Sequence, residues 1–134
     1  MNIETTIEQC VLLPASPHEL YAAYLDPQLH TTITGSRVEI GEAPGSPFRA
    51  FNGMLSGRIL HTVPGCLIVQ TWRSQQWRPE DLDSILILRF FAAEGGSGRI
   101  ELVHVGVAPS DVDGVRDGWL RYYWTPWREY LERV

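Results

Sequence analysis

The sequence predicts an α+β domain in which a curved antiparallel sheet wraps around one long C-terminal helix. Three observations lead there. Residues 111–134 hold nearly half of the aromatic side chains at helical spacing, residues 36–107 are short strand-like runs punctuated by turn dipeptides, and a strand with two short helical segments precedes them. At about 100° per residue, Val112, Val115, Trp119, Tyr122, Tyr123, Pro126 and Tyr130 fall within roughly 60° of one line. Leu120, Trp124, Trp127 and Leu131 extend the apolar surface on the same side, leaving Asp117, Gly118, Arg121, Thr125, Arg128, Glu129 and Glu132 as a polar arc. An ordinary surface helix buries a stripe about 100° wide, so this one needs a partner that grips it. Side chains this large leave either a dense core or a lined cavity between helix and sheet.

Taken in order, residues 5–13 carry β-branched and apolar content up to Pro14 and read as a first strand. Ser16, Pro17 and Glu19 form a capping box with proline at the first helical position, which starts a helix over residues 17–25. Asp26 and Pro27 restart a second short helix through about residue 32, and Gly35 stops it. Strands are expected at residues 37–40, 48–51, 54–63, 66–73, 84–93 and 99–105. Asn52-Gly53, Pro64-Gly65 and Gly95-Gly96 lie between consecutive runs and make them antiparallel neighbours. Residues 75–83, with Pro79 and several acidic and amide side chains around Trp77, are expected to be the most mobile loop. Pro126 conflicts with the last helix, because it removes a backbone hydrogen bond and costs about 3 kcal/mol in a straight helix interior. The apolar pattern continues to Leu131, so the helix is kept with a bend near Tyr122.

The 134 residues suit a single domain, 1–134, large enough to bury a core without disulfides or a metal. A net charge of −5 argues against a nucleic-acid partner. All 11 basic residues are Arg, scattered along the chain rather than gathered into a phosphate site. Glu4 and Glu8 stand where a secretory leader would need a basic start and an apolar core, and no apolar run reaches membrane-spanning length. A cytoplasmic protein is expected. Cys10 and Cys66 have no C-x-x-C spacing and read as buried small hydrophobes rather than a disulfide.

His18, His30, His61 and His104 lack partners at metal-ligand spacing, and no nucleotide-binding or hydrolase motif is present, so neither a cofactor nor a metal is expected. His104 shares a strand face with Ile100 and Leu102, which makes it a hydrogen-bonded strand-end histidine or a polar group inside a pocket. His30, beside Thr31, Thr32 and Thr34, reads as local capping. Arg73 and Arg89 interrupt apolar strands and must be paired if buried, with Asp83 and Glu101 as partners; an anion-binding role is the less favoured reading. Asp111, Asp113 and Asp117 suit the positive end of the helix dipole.

The residues also carry a family resemblance. Phe48-x-x-Phe51-x-Gly53, Ser56-Gly57-Arg58, Val63-Pro64-Gly65, Ile68-Val69-Gln70-x-Trp72-Arg73, His104-x-Gly106-Val107 and Gly118-Trp119-x-x-Tyr122-Tyr123-Trp124-x-Pro126, together with the segment from His30 to Gly35, resemble the activator of heat shock protein 90 ATPase homologue family. That family sits in the START-like, or SRPBCC, superfamily. The resemblance implies a helix-grip fold over nearly the whole chain and makes proline after the tyrosine-tryptophan run part of the pattern. In the eukaryotic activator this domain is the C-terminal part of a larger co-chaperone, whose separate N-terminal domain supplies much of the chaperone contact. The wider superfamily mostly binds hydrophobic small molecules under the last helix, and some relatives are cyclases, aromatases or hydrolases.

Non-catalytic binding of a small hydrophobic or aromatic ligand is therefore the first expectation. Trp72, His104, Trp119, Tyr122 and Tyr123 would line the cavity, with Phe51 and Trp77 near its mouth. Regulation of a chaperone ATPase is the alternative, a homodimer is compatible with either, and catalysis through His104 or a tyrosine is the third reading, weakened by the lack of paired titratable groups.

Overall fold

The computed structural model describes residues 5–134; residues 1–4, on which the leader expectation partly rests, lie outside them. The chain runs β1 (Ile7–Leu13), α1 (Pro17–Leu25), α2 (Pro27–Thr34), β2 (Pro47–Ala50), β3 (Leu55–Val63), β4 (Leu67–Ser74), β5 (Ser84–Ala92), β6 (Gly98–Val105), α3 (Val112–Trp119), a π-helical segment (Leu120–Trp124) and α4 (Thr125–Arg133). The six strands form one curved sheet in the order β1-β6-β5-β4-β3-β2, antiparallel throughout. Alternation sends Ile68, Gln70 and Trp72 of β4, Ser84, Leu86, Leu88 and Phe90 of β5, and Ile100, Leu102 and His104 of β6 to the concave, buried face. The C-terminal helix lies on that face with Val115, Trp119, Tyr123, Trp124 and Trp127 turned inward.

Local chemistry fixes the elements. At α1 the Ser16 hydroxyl accepts from the Glu19 N–H and the Glu19 carboxylate accepts from the Ser16 N–H, closing the expected capping box. The Asp26 carboxylate caps α2, which ends two residues later than the sequence suggests, at Thr34, on a left-handed Gly35. Between Ile59 and His61 the β3–β4 register slips by one residue, a bulge that bends β3. Gly57 is required beside it, because a Cβ there would sit 2.0 Å from the Thr71 carbonyl oxygen.

Several expectations need correction. Residues 37–40 are not a strand; Glu39 makes a single antiparallel bridge to Arg49, which covers the outer edge of β2 at one point. Cys10 and Cys66 are exposed free thiols rather than buried ones, since Cys10 occupies an outward position of β1 between exposed Glu8 and Leu12. The helix accommodates Pro126 by a π turn: the Thr125 N–H bonds back to the Leu120 carbonyl, so one wide turn comes just before the proline and α4 restarts with it in its first turn. That wide turn shifts the apolar face, leaving Leu120 and Tyr122 exposed while Trp124 and Trp127 stay inside.

Side chains fasten the helix to the β1 edge. The Trp124 indole donates to Gln9 Oε1 at 2.7 Å, Gln9 Nε2 donates to the Arg116 carbonyl, and Arg128 donates to the Leu12 carbonyl. Such capping protects an edge strand from foreign pairing. The loop over residues 75–83 is likewise tied down: Arg73 donates to the Asp81 carbonyl and pairs with Asp83 at 3.2 Å, and Gln75 N–H bonds to the Met54 carbonyl. Arg89 pairs with Glu101 on the outer face, so both strand arginines take the partners expected of them. No helix among the described residues is long and apolar enough to cross a membrane.

Candidate functional site

Helices α1 and α2 close one end of the grooved sheet. Tyr21 packs edge-on against Phe90, and the close approach of Leu20 and the Ala15 carbonyl to Gly98 brings α1 down on the far ends of β5 and β6. The opposite end, where β2, β3 and β4 meet the start of α3, is left open. A cleft of about 360 Å³ lies there, lined by Phe51, Met54, Leu55, Trp72, Asp111, Gly114, Val115, Gly118, Trp119, Tyr122 and Tyr123.

Two glycines of α3 are among the residues that line the cleft. Gly114 and Gly118 are four residues apart, so they stack on the same side of the helix, and both border the cleft. Each costs about 1 kcal/mol of helix stability relative to alanine. At Gly118 an added Cβ would meet only Tyr122, at an ordinary 3.7 Å, so the backbone does not require glycine there. The opposing rim is strained as well. Phe51 and Asn52 adopt left-handed φ of 53° and 57°, a conformation that costs a bulky residue about 1–3 kcal/mol. This conformation places the Phe51 ring 5.5 Å from Tyr122 and 6.3 Å from Tyr123.

Behind the wall lie two buried polar relays. In the first, the Trp119 indole donates to His104 Nδ1 at 3.1 Å, so the neutral ring carries its proton on Nε2 and donates to Ser84 Oγ at 2.8 Å, and Ser84 donates to the Trp72 carbonyl at 2.6 Å. Every donor meets one acceptor, and burial lowers the His104 pKa to about 3. In the second, His30 Nδ1 donates to the Tyr24 carbonyl at 2.7 Å, and its Nε2 accepts from the Tyr123 hydroxyl at 2.9 Å. The Tyr24 hydroxyl then donates to Gln70. Burial lowers the His30 pKa to about 4 and pushes both phenols upward. His30 does cap a carbonyl of α1, as local capping would have it, but its other nitrogen reaches a residue 93 positions away.

Of the seven residues expected at the site, Phe51, Trp72, Trp119, Tyr122 and Tyr123 line the cleft. His104 and Trp77 stand one layer back. His104 is wholly buried, with its ring 4.8 Å from that of Trp72 and 5.9 Å from that of Trp119, both nitrogens engaged. Trp77 packs 5.6 Å from Trp72 and donates its indole N–H to Asp111 Oδ2 at 2.8 Å. Met54, Leu55, Asp111, Gly114, Val115 and Gly118 escaped the sequence reading. The glycine pair inside a helical pattern was the available signal, and Val115 already lay on the apolar line of the helix; Met54, Leu55 and Asp111 gave none.

Comparison with known proteins fits this architecture. A sequence profile described as Activator of Hsp90 ATPase homolog 1-like protein matches residues 14–132. The human protein named activator of 90 kDa heat shock protein ATPase homolog 1 is 29% identical over 108 residues, which is 81% of this chain but 31% of that protein, so the chain spans about a third of its curated relative. Among solved structures, an Hsp90 activator from Plasmodium falciparum superposes with a TM-score of 0.80 at 20% identity, covering 88% of this chain and 89% of that one. A protein of the dynemicin biosynthetic locus superposes with a TM-score of 0.77 at 17% identity, covering 96% of this chain and 47% of that one. With the profile spanning nearly the whole grip of sheet and helix, the chain belongs to the family of Activator of Hsp90 ATPase homolog 1-like proteins.

Proposed function

We propose that this chain binds a small apolar or aromatic molecule in the open cleft and does not transform it. The observation that carries this reading is the pair Gly114 and Gly118, spent on an α-helix at the point where their missing side chains make room. A volume of about 360 Å³ falls within the range of about 300–1,000 Å³ usual for small-molecule sites. The walls are aromatic and aliphatic, so binding would draw on apolar burial at about 25 cal/mol per Å². Both buried histidines have each ring nitrogen in a hydrogen bond within the core, so neither presents a free nitrogen to a bound molecule. The protein would act in the cytoplasm, where its thiols stay reduced.

Native mass spectrometry of protein purified from its own host, followed by a thermal-shift screen of apolar small molecules, tests this. Retained adduct, or a rise in the melting temperature by mass action, is the expected outcome. Absence of both adduct and shift would contradict the reading.

A second reading, regulation of a heat shock protein 90 ATPase, draws on the names of the human and Plasmodium relatives. Its test is the ATP turnover of that chaperone with and without this protein: a change supports the role, and an unchanged rate opposes it.

A further inference from the structure

Among the residues lining the cleft, Asp111 alone carries a formal charge at neutral pH. It is held rather than free. The Trp77 indole donates to its Oδ2, and Trp77 in turn is buried against Trp72. The Asp111 side chain makes no capping bond to α3, although it sits at the N-terminal boundary of that helix. Oδ1 lies on the Gly114 side, where an added Cβ would come within 2.9 Å of it. Glycine at 114 therefore leaves space beside that carboxylate oxygen, and both residues line the cleft.

From this arrangement we infer that the cleft selects apolar or aromatic molecules that carry a protonated amine, with the ammonium group at Asp111 Oδ1 and the apolar body against Trp72, Trp119 and Tyr122. The inference rests on the ligand-binding reading above and narrows its class. Two physical effects favour a cation over its neutral analogue. A charge-assisted hydrogen bond to carboxylate is roughly twice as strong as a neutral one, and aromatic faces attract an ammonium by their quadrupole. An anion of the same shape would meet like charge at Asp111 and no compensating cation among the lining residues. The arginines of α3 and the π segment, Arg116 and Arg121, are exposed and are not part of the lining.

The test is calorimetric titration of the full chain with three compounds that differ only in the group ending a two-carbon chain on indole: tryptamine, 3-propylindole and indole-3-propionate. Tryptamine should bind about tenfold tighter than 3-propylindole, in line with a charge-assisted bond, and indole-3-propionate weakest. Asp111→Asn keeps an acceptor for the Trp77 indole and should bring the tryptamine to 3-propylindole affinity ratio close to one. Equal binding of all three compounds, or a tryptamine preference that survives in Asp111→Asn, would overturn the selectivity while leaving an apolar cleft in place. Absence of binding by all three, with no shift in the apolar screen, would overturn the selectivity and the cleft reading together.

Discussion

His104 and His30 each sit in the core with both ring nitrogens bonded, and each holds its neutral form against the solvent. The pH dependence of stability follows from that. In the unfolded chain both titrate near 6.5; in the folded protein burial depresses them to about 3 and about 4. Between those limits the unfolded state binds more protons, so the stability they contribute is fully present above about pH 7. It is lost as pH falls through 6.5, at up to about 1.4 kcal/mol per pH unit for each histidine. Urea unfolding at pH 7.5 and pH 5 should show a clear drop, and equal midpoints would contradict the buried neutral rings. Ser84→Ala should cost about 1–3 kcal/mol, because it strands the His104 Nε2 proton in the core; denaturant unfolding at pH 7.5 measures it. Neither relay was visible in the sequence. The face of His104 was readable from Ile100 and Leu102, but its partners Ser84 and Trp119 come from other elements.

At the scale of elements, the strands with turn dipeptides between them were legible and the irregular backbone was not. Asn52-Gly53, Pro64-Gly65 and Gly95-Gly96 each join neighbouring antiparallel strands, and the glycines adopt the positive φ that such turns demand. Residues 37–40 have strand composition yet make one bridge, since the turn over residues 41–46 carries the chain away before a ladder forms. Pro126 pointed to an irregularity near Tyr122, where the π turn falls, but its form escaped because hydrophobic periodicity assumes a constant 3.6 residues per turn. Cys10 shows strand alternation overriding the general preference of cysteine for burial. Two glycines make opposite predictions here. Gly57→Ala drives a Cβ into the Thr71 backbone and should destabilise the fold by more than about 2 kcal/mol. Gly118→Ala meets only an ordinary contact and should stabilise α3 by up to about 1 kcal/mol. Denaturant midpoints of both variants check the pair.

For the molecule as a whole, the fold follows from one constraint: a helix with a broad aromatic face must be gripped, and a curved sheet with α1 and α2 closing one end does so. Aromatic side chains fill the centre of the grip, where Trp119, Tyr123, Trp124 and Trp127 are buried. Space remains at the open end, where α3 carries glycine. The helix-wide aromatic pattern located that region from sequence, whereas the boundary between filled core and cleft depends on where small residues fall once the π turn has set the register. The thermal-shift screen repeated on Gly118→Leu tests the central claim most directly. If the space under α3 is a binding site, compounds that raise the melting temperature of the natural protein lose their effect in Gly118→Leu, while the unliganded variant stays at least as stable. Shifts that persist in the variant, or a variant too crowded to fold, would contradict it.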